Sequence, residues 1–144
     1  PSGEVKATFS LGSNGSATHT DGTAKSSYLE TNNNKSLSIS SGVQFYTGAR
    51  DDKGNSCLKI GSGSSKGSFT ITVDGSVNKV IIHVAGYKKN SAKITVNGKS
   101  YDITTLSNNG EYTAIEIDTS SNKTISFSTE TGGTRCMINT IEFK

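Results

Sequence analysis

Hydrophobic residues recur at every second position in short stretches along most of this chain. Phe69, Ile71 and Val73 are separated by Thr70 and Thr72, and Ile94 and Val96 by Thr95. Alternation of this kind puts successive side chains on opposite faces of a pleated strand, so each stretch predicts a strand with one buried face. Asn97-Gly98 follows Val96 and precedes Tyr101 and Ile103. That pair predicts a hairpin, because both central positions of the tight turn need positive φ. Lys79 to Ala85 is a nearly continuous apolar run through Val80, Ile81, Ile82 and Val84, the pattern of a central strand. Further strands are predicted over Ala7 to Leu11, Ser27 to Thr31 paired with Ser36 to Phe45, residues 56–61, Tyr112 to Ile117 and Thr124 to Ser128. Arg135 to Phe143 closes the series after a Gly132-Gly133 turn, with Phe143 expected beside the first strand. No amphipathic window sustains a helical period over three turns. Nine or ten short strands, spaced by roughly ten residues, predict an all-β, antiparallel β-sandwich of jelly-roll type. Phe9, Phe45, Phe69, Phe127 and Phe143 fall on the apolar phase of their strands and are expected in its core.

The chain's 144 residues fit one domain, which at this size buries roughly two thirds of the unfolded surface. Only 31% of the residues are hydrophobic, yet they are concentrated in the alternating runs, and the net charge of +3 is too small to favour disorder. One module spanning residues 1–144 is therefore expected. Pro1-Ser2-Gly3 has the composition of a linker, so residues 1–4 read as a remnant joining the module to a larger parent protein. No stretch approaches the roughly 20 apolar residues that span a bilayer. The slight lysine excess forms no run and no basic helix, and it reads as solubility rather than nucleic-acid or membrane binding. A monomer is expected.

Catalysis calls for a general acid or base, an activated nucleophile or a metal, and the chain offers little of each. His83 lies inside the Val80–Val84 run and is expected on the less buried strand face, bonded to a neighbour. His19 stands in a polar loop. No nucleophile elbow, zinc-protease helix or phosphate loop occurs. Of the carboxylates, Asp51 and Asp52 are adjacent, and Glu116 and Asp118 share one face of a strand; neither pair has the cross-cleft placement a glycosidase needs. The expectation is a chain that is not an enzyme and has no cofactor. Arg50-Asp51-Asp52-Lys53-Gly54-Asn55 supplies the oxygen ligands calcium prefers, but Lys53 occupies the third ligand position of an EF-hand-like loop; Asp21 is a second, weak calcium candidate. Cys57 and Cys136, the only cysteines, each lie within a predicted strand and lack metal-site spacing. They are either a disulfide stapling the sandwich or two buried thiols.

The tyrosines are the candidates for binding, the other reading being that they cap the second sheet while the lysines solvate it. An aromatic ring stacks on the C–H face of a sugar, and cationic side chains hold an acidic one. Tyr46 must face away from Phe45 and leads into Arg50; Tyr87 shares the phase of Ile81, His83 and Ala85 and leads into Lys88 and Lys89. If both strand ends meet at one rim, Tyr46, Arg50, Tyr87, Lys88 and Lys89 converge, and Arg135 before the last strand is a further contributor. Participation of the lysines would favour an acidic glycan, and tyrosines alone a neutral one.

Thr47-Gly48-Ala49-Arg50, Leu58-Lys59-Ile60-Gly61-Ser62, Lys66-Gly67-Ser68-Phe69-Thr70-Ile71, Asn78-Lys79-Val80-Ile81-Ile82, Ile94-Thr95-Val96-Asn97-Gly98 and the ending Arg135 to Phe143 resemble the ancillary β-sandwich modules of secreted bacterial carbohydrate-active proteins. The resemblance runs from about residue 40 to the end and includes carbohydrate-binding modules of jelly-roll fold. It implies a secreted parent protein, a covalently linked catalytic domain and a polysaccharide partner. It matches no sugar-contacting motif residue by residue. The alternative is a structural or protein-interaction sandwich, a spacer or adhesin domain of a bacterial surface protein.

Overall fold

The computed structural model describes residues 5–11 and 24–144. The expectations for residues 1–4, His19 and Asp21 lie outside the described residues. Twelve strands are present among those described. The first six are β1 (Ala7–Ser10), β2 (Tyr28–Asn32), β3 (Lys35–Val43), β4 (Phe45–Arg50), β5 (Ser56–Ile60) and β6 (Ser68–Thr72). The remainder are β7 (Lys79–Gly86), β8 (Ala92–Val96), β9 (Lys99–Ile103), β10 (Thr113–Asp118), β11 (Thr124–Thr129) and β12 (Cys136–Phe143). A 3-10 turn at Ser107–Asn109 is the single helical element among the described residues, and no helix is long and apolar enough to cross a membrane.

Two six-stranded sheets face each other. Sheet A runs β10-β7-β12-β5-β4, with β1 also on β12, and sheet B runs β2-β3-β6-β11-β8-β9. Every ladder is antiparallel. From β5 onward the chain changes sheet at each connection except the β8–β9 hairpin, which winds it as a jelly roll. The fold class is as the alternation predicts, with twelve strands rather than nine or ten. The predicted strand over Ser36 to Phe45 is divided at Gln44, whose φ of 46° turns the chain out of sheet B and into sheet A. Tyr46 thus stands near the start of a strand, not at the end of one. Asn97 and Gly98 take φ of 49° and 83°, the twist the hairpin requires.

The core fills the space between the inner faces. Phe69 and Phe127 stack with centroids 4.7 Å apart, Phe45 meets Phe69 edge-on at 5.8 Å, and Phe9 meets Phe143 at 5.3 Å. All five phenylalanines are buried, as their strand phase predicts. β12 is the pivot of sheet A. It pairs along one edge with β7, and along the other first with β5 (Cys136 to Ile138) and then with β1 (Thr140 to Phe143). A bulge between Ile138 and Thr140 resets its phase, so Cys136, Ile138, Ile141 and Phe143 all enter the core.

The disulfide alternative does not hold. Both cysteines are buried free thiols. Their strands are neighbours, but Cys136 pairs with Ile60 and points into the core, whereas Cys57, three residues back along β5, has the opposite phase. Burial pushes the Cys57 thiol up to about 11, against a hydrogen bond to Tyr112 that lowers it, and burial alone raises Cys136 further. Neither thiol should react with a thiol reagent until the protein unfolds, and reductant should leave the melting temperature unchanged. Phe127→Ala removes a stacked core ring and should lower stability by about 3–5 kcal/mol in urea denaturation.

Candidate ligand-binding surface

The outer face of sheet A is assembled by what the inner face buries. Leu58 and Ile60 of β5 point inward, so Lys59 points outward; Cys136 and Ile138 do the same for Met137, and Val84 for Ala85. Strand register then sets these residues in a row. Tyr46 lies opposite Lys59, Lys59 opposite Met137, and Met137 opposite Ala85. Met137 and Ala85 are 1% and 0% exposed although they lie in the outward phase, so they form the floor of this region. One step along the strands, Arg135 and Tyr87 lie opposite one another, joined by a Tyr87 N–H to Arg135 carbonyl bond of 3.2 Å.

Tyr46 and Tyr87 are both partly exposed, and cations group around their rings. The Lys59 ammonium lies 4.3 Å from the Tyr46 ring centre and 5.6 Å from that of Tyr87. The Arg135 guanidinium lies 4.1 Å from the Tyr87 ring centre and the Lys88 ammonium 5.6 Å. Burial, with the positive charge of Arg135 next to it, holds the Lys59 ammonium below its ordinary pKa. Like charges are thus held side by side, and no carboxylate among the described residues forms an ion pair with Lys59, Lys88 or Arg135. The Tyr46 hydroxyl donates to Gln44 Oε1 at 2.6 Å, which fixes the ring.

Of the six residues expected at the rim, four meet here: Tyr46, Tyr87, Lys88 and Arg135. Arg50 does not join them. Its guanidinium donates to the Gly54 carbonyl at 3.3 Å and the Ser56 hydroxyl at 3.4 Å, inside its own hairpin. Lys89 is exposed in the turn after β7 and is in none of the cation–ring contacts among the described residues. Lys59 was not expected. A lone lysine between Leu58 and Ile60 has the outward phase, which is visible in the sequence, but only the pairing of β5 with β4 reveals its tyrosine.

Asp51, a calcium candidate by sequence, is 6% exposed and wholly engaged. Its Oδ1 accepts the Lys53 and Asn55 N–H groups, each at 2.9 Å, and its Oδ2 accepts Asn55 Nδ2 and the Tyr112 hydroxyl, each at 2.8 Å. Tyr112 also lies 3.1 Å from Cys57 Sγ. A cation could enter this loop only by displacing those donors, so the folded loop does not fit one. No group of three or more metal-ligating His, Cys, Asp or Glu side chains occurs among the described residues. His83 Nε2 lies 2.7 Å from Glu142 Oε2 on the outer face of sheet A, a bond to a strand neighbour as its phase predicts. Glu116 and Asp118 are exposed on the same face of β10, Glu116 near Lys79 at 3.5 Å.

No protein-family model matches the chain, and no curated protein sequence does. Among solved structures, it is similar to the CBM36-1 domain of a multidomain xylanase from the hindgut metagenome of Trinervitermes trinervoides. That likeness has 10% identity and a TM-score of 0.38, covering 85% of this chain and 89% of that one. It is also similar to a carbohydrate-binding module CBM36 in complex with calcium and xylotriose, with 11% identity and a TM-score of 0.38 over 84% of this chain and 96% of that one. At these values neither neighbour contributes to the assignment of ligand, metal or activity.

Burial opposes ionisation of Asp51, but the bonds from Asn55, Tyr112 and Lys53 outweigh it and hold its carboxyl below the usual carboxylate range. The folded pKa being lower than the unfolded one, this contribution to stability is complete above about 3.8 and is lost as pH falls through the folded value. Asp51→Ala should cost about 1–3 kcal/mol at neutral pH. In pH-resolved denaturation, the gap from wild type should begin to narrow below about 3.8 and level off once the pH has passed below the folded value.

Proposed function

We propose that this chain is a non-catalytic carbohydrate-binding module that holds a linked, secreted enzyme against a polysaccharide, with preference for acidic glycans. The observation that carries the reading is the outer face of sheet A. Two partly exposed tyrosine rings share one end of that face with Lys59, Lys88 and Arg135, none of which forms an ion pair with a carboxylate among the described residues. The partly exposed rings offer apolar contact to pyranose units beside the cations that lie over them. The cations offer charge-assisted hydrogen bonds to uronate carboxylates, which are stronger than those to neutral hydroxyls. Tethering by such a module raises the local concentration of the partner enzyme at its substrate without any chemistry of its own.

Affinity electrophoresis and calorimetry against polygalacturonate, alginate, xylan and cellulose test the proposal. The acidic polymers should be retained more strongly, and the advantage should shrink as salt screens the cations. Tyr46→Ala and Tyr87→Ala should each weaken binding about tenfold, equivalent to roughly 1.4 kcal/mol, with the fold retained. Lys59→Gln should weaken the acidic polymers alone. Retention of none of these polymers, or retention indifferent to all three substitutions, would refute the assignment.

A further inference from the structure

A groove of about 320 Å³ opens at the other end of the sandwich. Its wall includes Phe143, seven residues along β12 from Cys136, so it lies roughly 23 Å from the tyrosine surface. Here the two sheets leave the final layer of the core within reach of solvent. Ala7, Val73, Val77 and Phe143 form an apolar floor, each only 3–6% exposed. Above it stand Lys6, just before β1, and Lys35, at the start of β3.

Among the described residues the lining holds one carboxylate, Asp74, whose Oδ1 accepts the Ser76 N–H at 2.9 Å and the Ser76 hydroxyl at 2.6 Å and whose charge acts on Lys35 without a direct ion pair, so the two lysines outnumber it. Neither lysine forms an ion pair among the described residues. The groove therefore combines an apolar floor, a polar rim and an excess of positive charge at its mouth. Its volume is at the small end of the range for ligand pockets, enough for one compact molecule and not for a polymer segment. A bare inorganic anion would satisfy the lysines but leave the apolar floor wet.

We infer that this groove is a second binding site, separate from the tyrosine surface, for a small organic carboxylate the size of a single uronic acid. The apolar ring face would rest on Phe143 and Val73, and the carboxylate would lie between Lys6 and Lys35. The inference does not depend on the polysaccharide reading, since the two sites share no residue.

Titration of the isotope-labelled protein with glucuronate, glucose and acetate, followed by amide chemical shifts, tests it. Glucuronate should move the amides of Lys6, Ala7, Lys35, Val73 and Val77, with glucose and acetate producing far smaller changes. Lys6→Gln and Lys35→Gln should each weaken glucuronate binding about fivefold, the effect of removing one exposed charge partner. Tyr46→Ala with Tyr87→Ala should leave these shifts intact. Shifts confined to the tyrosine surface, equal responses to glucose or acetate, or indifference to both lysine substitutions would each overturn the inference.

Discussion

Each strand has only two faces, and the demand that one face be buried settles the other. Leu58, Ile60, Ile138 and Val84 cannot leave the interior without exposing large apolar side chains, and that requirement fixes Lys59, Met137 and Ala85 on the opposite side. A slip of one residue in β5 or β12 would exchange the two sets and dismantle core and surface together. The grouping of two tyrosines with three cations thus follows from packing on the far side of the same sheet. Here the hydrophobic effect positions polar chemistry.

A second arrangement, made of hydrogen bonds, holds the loop after β4. Asp51 gathers donors from its own turn and one from Tyr112, just before β10, so that the two edge strands of sheet A are linked through side chains. Those donors satisfy a buried carboxylate, which would otherwise be costly to desolvate. Cys57 lies beneath the linkage and is shielded by it. The loop that looks like an ion site in one dimension is therefore closed in three, because its oxygens already have protein partners.

Much of the fold was legible in the sequence, since alternation is a one-dimensional record of burial. The five core phenylalanines, the hairpin at Asn97-Gly98 and the bonded His83 all follow from local pattern. The division of one predicted strand into β3 and β4 was hidden because a glutamine at positive φ leaves no compositional trace. Which of the two readings of the cysteines holds, and that Arg50 stays within its own hairpin, were hidden for related reasons. Whether two thiols can meet depends on the offset between paired strands, and whether an arginine is free depends on which carbonyls its own hairpin presents. Tyr46 and Tyr87 could be turned outward from phase, and Lys88 and Arg135 were named from their places beside strand ends. Lys59 required knowing which strands are neighbours, and the lysine groove required knowing where the sheets part.

The central place of β12 also bears on how this molecule is made. β1, β5 and β7 all lean on a strand that leaves the ribosome after them. Until it emerges, the early strands of that layer have no partner along one edge, and the backbone donors and acceptors there stay open. Pairings so distant along the chain form slowly. The nascent module is thus most exposed to aggregation in the interval before its last strand is synthesised.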